Sequence, residues 1–505
     1  MILRSMDTQP YWHRSTTVPA YPPPAGDLET DTLVIGGGIT GVTTAYLLAK
    51  EGIRTVLVER EQLGRRDTGH TTAHLTYMMD TRLSDLVATF SRREARLAWE
   101  AGSAAMELIR RHVEDLEIAC ELQTVPGFLA AASDADLQEE RPLLQEEAVL
   151  ARQLGFDATY VERAPVTDRP GIRFGGQMMF HPLLYLQQLA SHALAAGARI
   201  FGSTEVTAFD DKDGSVTAGP VKIRYKHVII ATHVPMQGTC GTTGATLFQS
   251  KLAAYSTYAI GARIPAGAVK HMIWSDTADP FHYLRVGELA DSDYAILGGE
   301  DHRTGAVEDT DALYRKLEQK LEKIVPGAVV TDRWSGQVVE TVDGLPYIGD
   351  VGDGQFIATG YSGNGMTFGT VAAMMARDFV TGRKNPWTSV FDPSRKVFGS
   401  MSTYLKENAG YPVRMVTDRL KVEEGSPGDL EPGTGKVLEH DGKRVAACRD
   451  ADGTLHVMSA VCPHMGCIVA WNGAENTWDC PCHGSRFATD GKVIAGPAES
   501  DLKSE

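Results

Sequence analysis

The sequence predicts an α/β nucleotide-binding domain with an inserted antiparallel sheet (an α+β unit), followed by a small all-β domain. Three observations carry this. An apolar strand, Leu33 to Ile35, runs into the turn Gly36-x-Gly38-x-x-Gly41 and then into a helix. Residues 250–305 alternate as a series of β-like runs. The last 80 residues contain only short β-like runs, and two boxes of Cys and His lie between them.

The first element is the most specific. Residues 31–59 read DTLVIGGGITGVTTAYLLAKEGIRTVLVE, with a helix expected from about Thr40 to Lys50 and a second strand from Thr55 to Val58. Gly36 permits the tight turn, Gly38 lets a pyrophosphate approach the backbone, and Gly41 lets helix and strand pack closely. The helix N-terminus then faces the phosphates. Glu59 closes the second strand 18 residues past Gly41, where a carboxylate accepts from ribose hydroxyls. Arg60 beside it joins the expected cofactor-binding set. A glycine-rich turn without a ligand is the plainer alternative, but strand, helix and acidic residue all stand in Rossmann-like order.

The middle of the chain reads as helical over 80–122 and amphipathic from Leu183 to Ala196. Strands follow in KLAAYSTYAIGARI, HMIW, PFHYLRV and YAILGGED, and then an exposed amphipathic helix over 311–324. Residues 343–349 read DGLPYIG and 356–367 read FIATGYSGNGMT. A strand ending at Gly360, a turn with Gly363 and Gly365 that runs through Met366 and Thr367, and a helix start leading into the helical stretch Val371 to Val380 would aim backbone N–H groups at the electron-rich edge of a flavin. On these motifs the sequence resembles the D-amino-acid oxidase/glycine oxidase/sarcosine oxidase superfamily of FAD enzymes over roughly residues 28–385. The segment YPPPAGDLETDTLVIGGGITG resembles the branch of that superfamily with a C-terminally fused Rieske domain.

The resemblance implies more than the motifs. It implies FAD, and an adenine held partly by backbone at Glu205-Val206 in STEVTAF. It implies that the strand His227 to Ala231 returns towards the FAD and that 250–305 form a substrate sheet beside the flavin. In sarcosine-oxidase-like enzymes the loop matching Gly69-His70-Thr71-Thr72-Ala73-His74 lies against the flavin, and in some relatives a His there bonds covalently to the ring. His70 is therefore open to three readings: a non-covalent flavin or substrate contact, a covalent attachment point, or a structural loop histidine. Arg285, after Tyr283, is a candidate bidentate clamp for a substrate carboxylate, against the alternative of an ion-pairing or surface Arg. His282, His302 and Tyr255 are further candidates. Sarcosine-oxidase-type members use a Lys near the flavin to promote reaction with oxygen. The corresponding stretch Tyr294–Gly299 has none, which favours a dehydrogenase.

Near the C-terminus, Cys462-x-His464 and Cys480-x-x-His483 are separated by 15 residues. This mixed thiolate–imidazole spacing is that of a Rieske [2Fe–2S] centre, in which two Cys bind one iron and two His the other. A structural zinc site also takes two Cys and two His, but leaves the His-Gly-Ser tail without a role. In Rieske proteins of the cytochrome bc type, the extra Cys of each box pair as a disulfide. By that resemblance Cys467 and Cys482 are expected to pair. Ser485 is retained where such proteins hydrogen-bond a cluster sulfide, but Phe487 stands where a Tyr donates to a ligand sulfur. The expected potential lies below the respiratory range and above an all-Cys ferredoxin.

Bulk properties bound the rest. A chain of 505 residues holds two or three domains. With 43% hydrophobic and 23% charged residues it has an ordinary globular composition. A net charge of -16 argues against a nucleic-acid or anionic-membrane partner. No run of about 18 apolar residues and no signal-peptide core is present, so a cytosolic chain without a membrane span is expected. Five of the seven Cys lie in the C-terminal seventh, and Cys120 and Cys240 look isolated, which is metal-site usage. The expected organisation is 28–385 as FAD and substrate domain, 386–425 as a helix (Ser394 to Asn408) and linker, and 426–505 as the Rieske domain. The expected function is a flavin-dependent dehydrogenase. It takes an amine, N-methylated amine or amino acid and passes electrons through the cluster to an unidentified acceptor. Two alternatives remain open: an NAD(P)H-driven reductase, for which no second G-x-G-x-x-G is present, and a non-enzymatic redox sensor or interaction protein.

Overall fold

Strand Thr32–Ile35 is buried at every position, and so is its neighbour Thr55–Val58. Such continuous apolar runs suit a parallel sheet covered on both faces. The computed structural model, which describes residues 8–234, 251–395 and 423–505, shows that arrangement. Six strands lie in the order Tyr347–Gly352, Gln355–Thr359, His227–Ile230, Thr32–Ile35, Thr55–Val58 and Arg199–Phe201. All neighbours are parallel except the first pair.

Alternation along the strands decides what each face meets. Val34, Leu57, Ile229 and Phe356 pack on helices Ile39–Lys50, Arg92–Asp115, Pro182–Ala195 and Gly365–Thr381. Leu33, Ile35, Val56, Val58, Val228 and Ile357 face the other way. They meet Val206, Val216, Ala218 and Ile223 of a four-stranded sheet ordered Leu28–Glu29, Val221–Arg224, Ser215–Ala218, Val206–Asp210.

A nine-stranded mixed sheet stands beside this core. The predicted run supplies four of its strands, Leu252–Ile264, Met272–Asp276, Tyr283–Glu288 and Asp293–Arg303. Sequence reading missed Gln123–Ala130, Gly171–Met179 and Val329–Thr341, which join the same sheet from distant parts of the chain. Helix Asp311–Ile324 buries Leu313, Tyr314, Leu317 and Leu321 against it and leaves its charged face outside.

The C-terminal part is all β. Strands Glu423–Glu424, Thr434–His440, Lys443–Arg449 and Leu455–Ser459 form one sheet, and Ala470–Asn472, Thr477–Asp479, Arg486–Phe487 and Val493–Ala495 form another. It docks on the larger unit through side chains. Tyr314 donates to Glu475 at 2.6 Å, and the Thr310 hydroxyl accepts from the Ala474 amide at 3.0 Å. The predicted fold class holds. The helix expected over Ser394–Asn408 and the linker at about 410–425 lie outside the described residues, apart from their ends, as does Cys240. Among the described residues no helix is long and apolar enough to cross a membrane.

Candidate active site

The five parallel strands of the six-stranded sheet point their carboxyl ends at a cavity of about 1370 Å³. That exceeds the roughly 300–1,000 Å³ of an ordinary small-molecule pocket. Gly36, Gly38, Glu59, Arg60 and Val206 line one end, and Gly363, Gly365 and Met366 line another. The cradle at the first end tolerates no side chain. A Cβ on Gly36, whose φ is +110°, would run into the Ala231 carbonyl. Helix Ile39–Lys50 starts at Gly38, which offers no side-chain cap; the Ile39 amide donates to the Thr68 hydroxyl at 3.0 Å, and the next amides of the first turn are left for an anion. Helix Gly365–Thr381 likewise starts at Asn364 without a side-chain cap. The Glu59 carboxylate accepts from the Gly37 amide at 2.6 Å and the Glu61 amide at 2.8 Å. Burial raises its pKa, and those two amides oppose the rise. A shape-restricted glycine turn, two open helix starts and a buried acceptor between them fit a dinucleotide carrying a flavin.

Three predicted cofactor residues support this lining from behind it. A Cβ on Gly41 would collide with the Gly36 carbonyl, so Gly41 sets the helix–strand approach. Gly360, at φ +73°, turns the chain where a Cβ would strike Thr341. The Thr367 hydroxyl donates to the Thr76 carbonyl at 2.9 Å and accepts from the Thr76 amide at 3.3 Å, pinning the loop after His74 to the helix. Arg60 reaches across to the small domain and donates to the Ile494 carbonyl at 2.9 Å.

His70 lines the cavity. Its Nδ1–H donates to the Arg66 carbonyl at 3.0 Å, which leaves Nε2 with the lone pair. Burial lowers its pKa, so the ring is neutral. Arg285 requires a correction. It is not among the cavity-lining residues. Its Nη1 is held by the carbonyls of Phe180 at 2.9 Å and of Thr72 and Ala73 at 3.2 Å, and the guanidinium lies 5.1 Å from the Trp12 ring centre. Arg285 braces the loop behind the cavity, because three buried carbonyls there need a donor. Of the other candidates, His282 sits between Asp276 at 3.3 Å and Glu300 at 3.4 Å, His302 stacks on Tyr258, and Tyr255 lies under Arg303.

The two Cys/His boxes converge. The rings of His464 and His483 are 4.8 Å apart, edge to face. Burial lowers both imidazoles, His483 to about 4, so each is neutral as a metal ligand must be. Cys462 and Cys480 are buried free thiols. Their proximity, with amides of the first box, brings Cys462 down to about 7 against burial. Cys467 and Cys482 are joined as a disulfide. The loops are tied back on themselves: Gly466 N donates to Cys462 O, Gly484 N to Cys480 O, and Cys480 N to Ser485 O. Two thiols, two neutral imidazoles and a cross-linked pair of loops are the donor set a Rieske cluster needs. Ser485 Oγ also accepts from the Ala498 amide at 2.9 Å, and Phe487 is buried.

The two sites adjoin. Residues 492–501 of the small domain form part of the cavity wall. Gln337 also lines the cavity, and its Nε2 donates at 2.6 Å to the carbonyl of Gly484, the residue after His483. Arg486 lines it too, with Nε 3.0 Å from Asp479, Nη2 3.2 Å from the Thr477 hydroxyl and Nη1 3.4 Å from Ser335. Sequence reasoning missed Gln337 and Arg486, as it missed Asp80 and Asp301 in the cavity, because none of the four belongs to a spaced motif.

Comparison with known proteins agrees with this geometry. Residues 31–378 match the family described as FAD dependent oxidoreductase, and residues 421–504 match the Rieske [2Fe-2S] domain. YhfW of Bacillus subtilis (strain 168), whose name describes it as a Rieske 2Fe-2S iron-sulfur protein, is 32% identical over 503 residues. That match covers 98% of this chain and 96% of YhfW. Among solved structures, glycine oxidase from Geobacillus kaustophilus superposes with a TM-score of 0.61 at 17% identity, covering 73% of this chain and 100% of its own. L-proline dehydrogenase from P. horikoshii superposes at 0.60 with 19% identity, covering 73% and 98%. At such identities these likenesses speak to fold alone.

Proposed function

The chain belongs to the FAD-dependent oxidoreductase family and carries a Rieske domain, and on that premise we propose a dehydrogenase that oxidises an amine, N-methylated amine or amino acid at the C–N bond and delivers electrons to an external acceptor. FAD supplies the hydride acceptor and the [2Fe–2S] cluster a one-electron relay. The protein's work is holding and tuning. Gly36, Gly38 and the start of helix Ile39–Lys50 receive the pyrophosphate, Glu59 and Arg60 the ribose end, and Val206 the adenine. The amides around Gly363, Gly365 and Met366 face the flavin ring, with Gly41, Gly360 and Thr367 setting their positions. His70 offers Nε2 to the flavin or the substrate. Cys462 and Cys480 take one iron, and His464 and His483 the other.

One observation carries the electron route: the cluster-bearing domain forms a wall of the flavin cavity, and Gln337 touches both the cavity and the peptide after His483. The lining also supports a dehydrogenase. Among the described residues its only lysine is Lys492, which belongs to the small domain and pairs with Asp490 at 2.7 Å.

The test is anaerobic. A panel of amines and amino acids is scored for flavin bleaching, and EPR then shows whether the cluster has been reduced. Cys480→Ser should abolish the cluster, keep FAD and substrate bleaching, and stop turnover with the natural acceptor. Unchanged turnover would remove the cluster from the route. Rapid bleaching by NADH alone would instead support the reductase.

A further inference from the structure

The part of the cavity beyond Gly363 is acidic and aromatic. Asp80 and Asp301 line it together with His74, Phe281 and Tyr283. A Cβ on Gly363 would meet the Asp80 carboxylate, so Asp80 sits at the loop assigned to the flavin ring. Among the described residues no Lys or Arg forms an ion pair with Asp80 or Asp301. Asp80 has only the Asn364 amide, at 3.5 Å. Asp301 Oδ1 is buried and accepts no hydrogen bond, and His74 Nε2 is buried without a partner. Unmet polar atoms in a cavity wall call for an explanation, which a ligand that draws these side chains round would supply.

The nearby cations are committed elsewhere. Arg82 pairs with Glu140, and Lys320 with Asp276 at 2.8 Å. Arg285, the one candidate for a carboxylate clamp, spends Nη1 on backbone carbonyls and lies outside the cavity lining. Burial and the Arg285 charge lower His74 to about 3, so it adds no positive charge. Enclosure by the cavity walls raises Asp80 towards about 8, with Glu340 and Asp301 adding repulsion, while the water its exposed side chain meets in the open cavity tempers the rise. Asp301 is raised to about 6 by burial, against the Thr257 hydroxyl and His282, with Glu300 adding to the rise. Near neutral pH Asp301 therefore carries the chamber's negative charge, and Asp80 ionises once a cation arrives beside it; among the described residues no Lys or Arg pairs with either, and the aromatic faces beside them favour a cation.

We propose that this chamber selects a cationic amine without a carboxylate, its nitrogen seated by Asp80 and Asp301 and its alkyl groups against Phe281 and Tyr283. The proposal rests on the C–N oxidation reading and narrows its substrate class. An amino acid would bring a second negative charge to a wall that, among the described residues lining it beside Asp80 and Asp301, offers it no free cation.

Two matched comparisons on the holoprotein test it. The first is anaerobic bleaching by alkylamines and N-methylalkylamines against amino acids of the same chain length. Amines should half-saturate at concentrations at least tenfold lower. The second uses inert probes that perturb the flavin spectrum: tert-butylammonium, which has no hydrogen on the carbon beside nitrogen, and its carboxylate isostere pivalate. The cation should bind at least tenfold tighter than pivalate. Asp301→Asn and, separately, Asp80→Asn should erase most of that preference, with flavin content checking that each variant folds. Amino acids outperforming amines, or pivalate binding at least as well as the cation, would overturn the proposal while leaving C–N oxidation standing. So would two folded Asn variants with unaltered selectivity. If neither substrate class bleaches the flavin, the parent reading falls, and the probe pair still decides the chamber's charge preference.

Discussion

Replacing Arg486 by Met tests how the small domain is held over the cavity. The Arg486 side chain is 9% exposed and that of Asp479 2%, with Nε 3.0 Å from Oδ1. At that separation the gross attraction is roughly 5 kcal/mol for an effective dielectric near 20. Desolvation offsets much of it in the intact pair. Removing one partner leaves the other charge buried, which costs about 3–5 kcal/mol. Asp479 would still accept from the Thr477 hydroxyl at 2.8 Å and from Asn472 Nδ2 at 3.0 Å. Glu475, stabilised by the same guanidinium, would keep Tyr314. Those surviving donors place the loss near the lower end, about 3 kcal/mol. With a urea slope of about 1.5 kcal/mol per M for a small domain, the midpoint should fall by about 2 M. The assay is urea titration of the holoprotein, following cluster absorption and flavin fluorescence separately. The cluster signal should shift first, and adding Asp479→Asn should recover part of the loss. A midpoint within about 0.3 M of wild type would refute the reasoning.

Three further outcomes are expected. Gly41→Val drives a side chain into the Gly36 carbonyl, so the purified variant should retain less than a tenth of its flavin by absorbance. Gln337→Leu removes the donor to Gly484 O, at a cost of about 1–3 kcal/mol for the orphaned carbonyl. Substrate bleaching should persist while cluster reduction slows at least tenfold by freeze-quench EPR, and equal rates would show that the contact is not on the route. Enclosure and the Glu340 and Asp301 charges push Asp80 up on folding from 3.8 towards about 8, a rise tempered by water because its side chain is exposed to the open cavity. Its stabilising contribution is therefore full below pH 3.8 and lost as pH climbs through 8. Apo Asp80→Asn should gain thermal stability over apo wild type as pH rises from 5 to about 8 and level off above that, and a pH-independent difference would contradict that environment.

Features that depend on spacing along the chain were legible. Gly36, Gly38 and Glu59 lie within one strand–helix–strand unit whose geometry is local, and the Cys/His boxes are short loops with fixed offsets. Features that depend on distant pairing were not. Strand Val329–Thr341 shares its register with Leu252–Ile264, about 75 residues away. Arg285 carried the chemistry of a clamp, but its role depends on Phe180 and the loop at Thr72–Ala73, whose carbonyls face it only after folding. Asp80 and Asp301 sit in otherwise unremarked stretches. Their meaning arises from an enclosure built by elements far apart in sequence, and from cations that pair elsewhere.

Because residues 492–501 belong to the wall around the dinucleotide site, the order of assembly is constrained. A ribosome makes this stretch after the rest of the lining, so the nascent polypeptide first presents an open-sided cleft into which the nucleotide can be loaded. Seating of the tail then latches it in place. Where residues 492–501 cover the nucleotide, its residence time reports the lifetime of that latch.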